Sequence, residues 1–314
     1  MTTLLYMHPS SLEHDTGPGH PESSARMRAI MAALEREERK GALVGVERRE
    51  PPRATRTQLE RVHTARHVDA VLRAEPASGH VRLDPDTVMS PGSGEAALRA
   101  AGAAVAAVDA VIGGEAANAF CALRPPGHHA EAERAMGFCL LNSVAIGARQ
   151  ALDVRGVASV SIFDFDVHHG NGTQHSFDRE PRVQYLSTHQ WPLYPGTGAR
   201  DETGIGNIIN RPLPADTGSR EWRRVVEADI LPAIDAFAPA LIMVSAGFDA
   251  HWADPLAMLE LVEDDYRWVT AQLVELARKH CEGRVVSVLE GGYDLSALSN
   301  SALAHLNGLR QART

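Results

Sequence analysis

Short apolar runs rich in valine, isoleucine and leucine alternate along the chain with longer segments of helical periodicity. Several of these runs are apolar on both faces, for example residues 241–244 and 285–289. Strands of this kind are typical of a parallel sheet that helices cover on both sides. The pattern predicts strands at residues 3–7, 118–123, 157–165, 183–187, 240–244 and 284–289.

The segments between these runs place apolar residues at helical spacing. They predict helices at residues 21–36, 57–74, 94–112, 142–152, 220–237, 264–280 and 297–309. A chain of 314 residues is long enough for two domains at ~150 residues each. However, the chain contains no internal repeat and no linker rich in Pro, Gly and Ser. We therefore predict a single α/β domain over residues 1–314, with a central, mostly parallel β-sheet flanked by helices on both faces.

The charge balance argues against several classes of partner. Lys and Arg number 31 and Asp and Glu number 40, so the formal net charge is −9. We therefore expect no generic binding to nucleic acid or to anionic membranes, whereas a cationic substrate would be attracted. Residues 1–8 lack the basic and apolar regions of a signal peptide. Residues 96–114 are too short and too polar to span a membrane.

The cysteine content indicates a cellular compartment, and the histidine content indicates a type of functional site. The three cysteines, Cys121, Cys139 and Cys281, are too few and too widely spaced for a disulfide framework or a CxxC metal site. They favour a cytoplasmic location. The 15 histidines are unusual for an otherwise ordinary composition. Extra histidine predicts a metal site or an acid–base site.

Glycine-rich polar turns follow four of the predicted strands. These turns, at residues 124–129, 164–172, 245–249 and 290–293, contain two His-His pairs, three aspartates and Tyr293. Parallel strands end at one edge of the sheet, where open α/β folds place their sites. The sequence therefore predicts one crevice in which these side chains meet.

The segment 164–168 has the composition of a metal site. If it is extended, Asp164, Asp166 and His168 share one face because side chains alternate along a strand. Two carboxylates and an imidazole are costly to bury together without a cation. One aspartate, one histidine and Asp249 from another strand would leave open positions, as catalytic zinc sites do. The alternative is a capped strand end with surface histidines.

The rigid turn 125–127 precedes His128 and His129 and fixes the direction of both rings. The pair suits a general base and an electrostatic partner. Each ring needs an orienting acceptor, and Asp164 and Asn171 are the available candidates. The alternative is an exposed loop in which the two histidines have no catalytic role.

Four further features are weaker signals on their residues alone. Tyr293 follows two glycines and suits an oxyanion stabiliser, although such a tyrosine is more often a packing residue. Phe138 is typical of a core position, and Asp86 is typical of a turn. Residues 194–198 look like a phosphate loop but lack its Lys-Ser/Thr ending and a following helix.

Taken together, these motifs resemble the zinc-dependent histone deacetylase superfamily, in particular its class II-like bacterial deacetylase and amidohydrolase branch. The resemblance runs in order from about residue 8 to about residue 300. It is carried by His14 and by residues 17–22, 62–64, 124–129, 137–139, 164–172, 194–198, 245–249 and 290–293. It implies an arginase-like fold and an enzyme that deacylates acylated primary amines, N-acetyl-lysine above all, through a metal-activated water.

The resemblance also assigns ligands and catalytic groups. One zinc ion per chain, or ferrous iron, would be held by Asp166, His168 and Asp249. His129 would be the general base, with His128 as the second imidazole and Tyr293 as the oxyanion donor.

A structural potassium ion would bind near Asp164, Asp166, His168, Ser187 and Thr188. Phe138 and Tyr194 would form the walls of the substrate channel, the Gly137 carbonyl would accept the substrate amide, and Asp86 would bind the substrate backbone.

Some positions depart from the family pattern. Tyr194 stands where phenylalanine is common, and Asn171 stands where some branches have aspartate. An amide orients the ring without raising its pKa as a carboxylate would. Residues 21–24 differ from the usual Pro-Glu-Arg-Pro. Leu256 stands where a polyamine-selective branch has an acidic residue, which predicts a preference for acyl-lysine over acetylpolyamines.

Three alternatives compete with this function: an acetylpolyamine amidohydrolase, a binuclear manganese ureohydrolase, and a catalytically silent acyl-amine sensor. The ureohydrolase needs extra bridging aspartates. A silent sensor would be expected to have lost Tyr293 or one histidine of the pair. Oligomeric state is left open, including a homo-oligomer.

Overall fold

The computed structural model describes residues 2–310 of the chain, which form a layered α/β structure. Its strands are β1 (Thr3–Tyr6), β2 (Val46–Arg49), β3 (Val81–Arg82), β4 (Val88–Met89), β5 (Asn118–Cys121), β6 (Val160–Asp164), β7 (Val183–Gln190), β8 (Ile208–Leu213), β9 (Leu241–Ala246) and β10 (Val285–Leu289). Eight of them form one sheet in the order β2-β1-β5-β10-β9-β6-β7-β8. Every neighbouring pair in this sheet is parallel. Strands β3 and β4 form a separate antiparallel hairpin.

Helices cover both faces of this sheet. They are α1 (Ser10–Glu13), α2 (Ser24–Arg39), α3 (Arg56–Leu59), α4 (Ala65–Ala74), α5 (Ser93–Ile112), α6 (Ser143–Arg149), α7 (Asn171–Phe177), α8 (Ser219–Val225), α9 (Leu231–Phe237), α10 (Glu263–Cys281) and α11 (Leu295–Arg310). Leu5 packs in one apolar cluster with residues of α2, α10 and α11. Its neighbours Leu4 and Tyr6 pack in another with α5 and α6, because side chains alternate along a strand. None of the described helices combines the length and hydropathy of a membrane span.

The six predicted strands and the predicted α/β class are confirmed, and the differences have local causes. The predicted helix 57–74 is two helices, because Thr64 accepts a hydrogen bond from the His67 backbone N–H and begins α4. Strands β2 and β8 were not predicted. Both are edge strands, and β2 carries three charged residues in four, so neither has the continuous apolar pattern of a central strand.

The expectation of an extended segment through residue 168 is wrong. Strand β6 ends at Asp164, whose Oδ1 accepts a hydrogen bond from the Asp166 backbone N–H at 3.1 Å. This bond bends the chain, as aspartate side chains commonly do in turns. Residues 166–168 therefore follow the strand as a bend and do not continue it.

Candidate active site

Strands β5, β10, β9 and β6 are neighbours at the centre of the sheet, and their carboxyl ends meet at one edge. The four polar turns identified in the sequence follow these strands directly. The predicted crevice is therefore present at this edge.

A buried Asp-His-Asp cluster lies in the crevice. Asp166, His168 and Asp249 each offer one ligand atom, and these atoms all lie within 4.8 Å of one another. The Nδ1 atom of His168 is 3.2 Å from Asp166 Oδ1 and 3.2 Å from Asp249 Oδ2. Backbone N–H groups orient both carboxylates: Val167 donates to Asp249 Oδ1 and Gly291 donates to Asp166 Oδ2. The three residues form a group that could hold a metal ion.

Two glycines make room for these carboxylates. A Cβ atom at Gly247 would lie 2.0 Å from Asp166 Oδ2. A Cβ atom at Gly291 would lie 2.1 Å from Asp249 Oδ2. Any larger residue at either position would displace a carboxylate. The cluster thus depends on glycines contributed by the turns after β9 and β10.

The charges of the cluster call for a cation. Burial raises the pKa of Asp249, and the charge of Asp166 raises it further. Burial disfavours the imidazolium of His168, but hydrogen bonds to both aspartates outweigh burial and raise its pKa to about 10. The two buried carboxylates therefore stabilise a positive charge on the neighbouring His168 imidazole. A divalent cation would supply that charge, and the carboxylate and imidazole donors suit zinc.

His128 lies in a carboxylate-rich environment. Its Nδ1 is 3.0 Å from Asp164 Oδ2, and its backbone N–H donates to Glu290 Oε2 at 3.1 Å. Its Nε2 is 3.8 Å from Asp166 Oδ2. Burial disfavours the charged ring, but the charges of these three acids outweigh burial and raise the pKa of His128 well above its ordinary value. These acids therefore favour the cationic form of His128.

His129 has the opposite environment. Its Nδ1 is 2.8 Å from Asn171 Oδ1, and its ring centroid is 4.0 Å from that of His128. Burial lowers the pKa of His129 well below its ordinary value, and the charges of His128 and His168 lower it further. An amide oxygen only accepts, so the proton of this neutral ring is on Nδ1 and the lone pair of Nε2 is free.

Two groups hold the Tyr293 turn in place. The Tyr293 backbone N–H donates to Asp254 Oδ2 at 2.7 Å. On the other side, Arg26 Nε donates to the Gly292 carbonyl at 2.7 Å, and the guanidinium carbon is 5.0 Å from the centroid of the Tyr293 ring. Burial raises the pKa of Tyr293 well above its ordinary value, so its hydroxyl keeps its proton and can donate.

A cavity of about 230 Å³ opens onto these groups. All five predicted channel residues line it. The lining is Asp86, Gly137, Phe138, Tyr194 and Leu256, with His129, His168 and Tyr293, and with Leu193, which was not predicted.

The bend at Gly137 and Phe138 shapes one wall of the cavity. Both residues have left-handed backbone angles, with φ of 57° and 68°. A Cβ atom at Gly137 would lie 2.4 Å from His129 Cδ2, so glycine is required there. The hairpin supports the bend: Asp86 Oδ1 accepts from the Gly137 backbone N–H at 3.2 Å, and Thr87 Oγ1 accepts from the Phe138 N–H at 3.1 Å.

Comparison with known proteins identifies this arrangement. Residues 20–309 match the model of the histone deacetylase domain. The chain belongs to the histone deacetylase family. As a member of this family, it is an enzyme that hydrolyses amide bonds.

Several relatives match this chain over nearly all of its length. A probable deacetylase of Archaeoglobus fulgidus is 40% identical over 94% of this chain and 82% of its own length. A histone deacetylase-like amidohydrolase of Pseudomonas aeruginosa is 38% identical over 94% of this chain and 78% of its own. The crystal structure of the HDA15 HD domain superposes with a TM-score of 0.92 at 35% identity, covering 98% of this chain and 88% of that one. The arginase-like fold is thereby confirmed.

Sequence reasoning missed the groups that support the site of this deacetylase. Arg26 pairs with the fully buried Glu22, which also binds Arg124. Asp254 and Glu290 are buried as well. The spacing of Glu22 and Arg26, four residues apart at the start of a helix, was the one available signal. Asp254 and Glu290 act on backbone groups distant in sequence, which no local pattern shows.

Of the residues assigned to potassium, Asp164 ends β6, and Ser187 and Thr188 lie within β7. Asp164 is the register partner of Ser187. The Ser187 hydroxyl is 2.9 Å from His189 Nδ1, and the Thr188 hydroxyl accepts from Trp222 Nε1 at 3.1 Å. The potassium site stays a prediction.

Proposed function

We propose that this member of the family is a zinc-dependent amidohydrolase that deacylates acylated primary amines, most of all N-acetyl-lysine. The observation that carries the proposal is the meeting of three kinds of group at one cavity. These are the buried cluster of Asp166, His168 and Asp249, the neutral imidazole of His129, and the phenol of Tyr293.

Asp166, His168 and Asp249 would hold one zinc ion, with ferrous iron as the alternative. When bound, such an ion supplies Lewis-acid chemistry, which polarises the acyl carbonyl and makes water more acidic. The clearance at Gly247 and Gly291 and the unbalanced negative charge of the two aspartates support this assignment.

The residues around the metal cluster carry out the proton transfers and stabilise the charge that develops. His129 takes a proton from the attacking water at Nε2, because Asn171 keeps the ring proton on Nδ1. The Tyr293 hydroxyl donates to the oxygen on which negative charge develops. His128, held cationic by Asp164, balances that charge as it develops. A proton delivered from the imidazole pair to the amine nitrogen then releases a carboxylate and a free amine.

The cavity lining favours acyl-lysine over acetylpolyamine. Phe138 and Tyr194 supply aromatic walls for an aliphatic side chain, and Leu256 adds an uncharged residue. Asp86 is the one carboxylate in the lining, and its Oδ1 already accepts from the Gly137 backbone N–H and the Thr87 hydroxyl. The lining therefore offers a distant ammonium group a single carboxylate, one oxygen of which already binds the Gly137 bend and Thr87.

We also propose that residues 1–314 form one domain and that potassium binds near Ser187. The first of these is supported by the single eight-stranded sheet, in which β10 pairs with both β5 and β9. The register pairing of Asp164 with Ser187 supports the second.

The test is acetate release from an acetyl-lysine peptide and from acetylspermidine, measured with the purified chain before and after chelation. The proposal expects turnover of the peptide, loss of turnover with chelator, and recovery when Zn²⁺ is added. Hydrolysis that survives in metal-free protein would contradict it. Turnover of acetylspermidine alone would instead favour the polyamine alternative.

A further inference from the structure

A carboxylate lies behind the amide that faces His129. Asn171 Nδ2 donates to Glu131 Oε1 at 2.9 Å, while Asn171 Oδ1 lies 2.8 Å from His129 Nδ1. The three side chains form a continuous hydrogen-bonded series from the half-buried Glu131 to the buried imidazole. The mechanism above assigns no role to Glu131.

Glu131 distinguishes the two ends of the Asn171 amide. The two ends have nearly the same shape but opposite hydrogen-bonding character. If the amide flipped, its oxygen would face the Glu131 carboxylate, and two acceptors would meet. The other acceptors near Nδ2, the His129 carbonyl and Met136 Sδ, are both at 3.4 Å and are weaker. The carboxylate is therefore the group that excludes the flipped amide.

The orientation of the amide decides the tautomer of the imidazole. With Oδ1 toward the ring, His129 Nδ1 carries the proton and Nε2 can accept one. With the amide flipped, the NH₂ group of Asn171 would donate to Nδ1, the ring proton would lie on Nε2, and the ring could not act as a base there. We propose that Glu131 is a positioning residue that sets the tautomer of His129 through Asn171. This inference rests on the proposed function, in which His129 is the base.

The loop itself does not depend on the Glu131 side chain. The Glu131 backbone N–H donates to the Arg134 carbonyl at 2.9 Å, and the Glu131 carbonyl accepts from His63 Nδ1 at 2.9 Å. Substitution of the side chain leaves both bonds in place. Glu133, two residues further along the same loop, is exposed and provides a control with the same change of charge.

Glu131→Gln is the sharpest variant, because it keeps the size and the hydrogen bond but can pair with either orientation of the amide. A merely structural role would tolerate it. We expect kcat of Glu131→Gln to fall about tenfold and KM to stay within about twofold of wild type. A general base supplies about 10²- to 10⁴-fold in rate, and the variant should lose part of that acceleration. Glu133→Gln should leave both constants unchanged. Asn171→Asp, which presents two equivalent acceptors, should restore kcat when added to Glu131→Gln.

Side-chain ¹⁵N NMR of the metal-loaded protein reads the tautomer directly. Wild type should show the His129 proton on Nδ1, and Glu131→Gln should show a mixture of both tautomers. A pure Nδ1–H tautomer in Glu131→Gln would overturn the inference, whatever happens to kcat. If wild type fails to hydrolyse any acyl-amine, the proposed function fails, but the ring tautomer still tests the role of Glu131.

Discussion

The imidazole centroids of His128 and His129 lie 4.0 Å apart, and the two rings face opposite kinds of partner. His128 faces the carboxylate of Asp164 at 3.0 Å, and His129 faces the amide oxygen of Asn171 at 2.8 Å. Burial disfavours the charged form of both rings. The charges of the nearby acids nevertheless raise the pKa of His128, whereas the positive charges of His128 and His168 lower the pKa of His129 further. The two environments therefore favour different protonation states for these neighbouring histidines, which suits one to donate and the other to accept a proton.

We expect purified protein to contain about one equivalent of a divalent metal bound by the Asp-His-Asp cluster. Asp249→Asn should lose both the metal and amide hydrolysis, because it removes a ligand charge. The exposed Asp201→Asn is a control with the same charge change. Plasma mass spectrometry of the metal content, alongside acetate release, checks this. Full metal content in Asp249→Asn would remove this residue from the ligand set.

Tyr293→Phe should lower kcat by about 100- to 1000-fold, the usual effect of losing one oxyanion donor. Metal content and folding should be retained, because only a hydroxyl is removed. Tyr266→Phe is a matched control, since the buried Tyr266 hydroxyl has no hydrogen-bond partner among the described residues. Steady-state kinetics on the three proteins make the comparison, and equal kcat for Tyr293→Phe and wild type would assign the oxyanion to another donor.

Glu22→Gln should destabilise the fold by about 3–5 kcal/mol, because it leaves the fully buried guanidinium groups of Arg26 and Arg124 without a counter-charge. Glu60→Gln breaks the exposed ion pair with Arg56 and should change the free energy of unfolding far less. Urea unfolding monitored by circular dichroism measures both. Similar losses in the two variants would contradict the distinction between buried and exposed pairs.

Acid should destabilise the fold partly through His305. This buried ring lies 2.6 Å from Thr270 Oγ1 and 2.7 Å from Ser287 Oγ, and burial lowers its pKa to about 3. An unfolded histidine titrates near ~6.5, so the unfolded chain binds one more proton between these pH values. The contribution of the neutral His305 ring to the free energy of unfolding is fully present above pH ~6.5. It falls by up to about 1.4 kcal/mol per pH unit below that value.

Replacing His305 with a residue that does not titrate, as in His305→Gln, should flatten this dependence. Unfolding free energies measured from pH 7 to pH 4 should fall less steeply for the variant than for wild type. The comparison of slopes removes the contribution of other buried histidines, because both proteins share them. Parallel slopes would show that His305 does not contribute to acid unfolding.

Leu256→Glu should shift the ratio of kcat/KM toward acetylspermidine over acetyl-lysine peptide. The new carboxylate would lie at the cavity and attract the distant ammonium groups, an effect of about 2- to 5-fold for a solvent-exposed charge pair. Leu256→Gln keeps the size without the charge and should leave the ratio near that of wild type. A change in Leu256→Gln as large as that in Leu256→Glu would point to shape rather than charge.

Local patterns predicted the central strands well and the edges poorly. Strands β9 and β10 are apolar on both faces because helices cover both sides, and this burial is legible in the sequence. In the edge strand β2, three of the four residues are charged, so the strand has no such apolar pattern. The break between α3 and α4 depends on a single capping threonine, which hydrophobic periodicity does not register.

The sequence by itself determined that the polar turns after β5, β6, β9 and β10 would meet, since parallel strands share one carboxyl edge. It also contains the motifs that predict Asp166, His168 and Asp249 as ligands of one metal site. Only the tertiary structure decided how each group is supported: Arg26 and Asp254 on the Tyr293 turn, Glu290 on the His128 backbone, and Glu131 on the Asn171 amide. These contacts join residues far apart in the chain or depend on side-chain direction, and no local spacing specifies either.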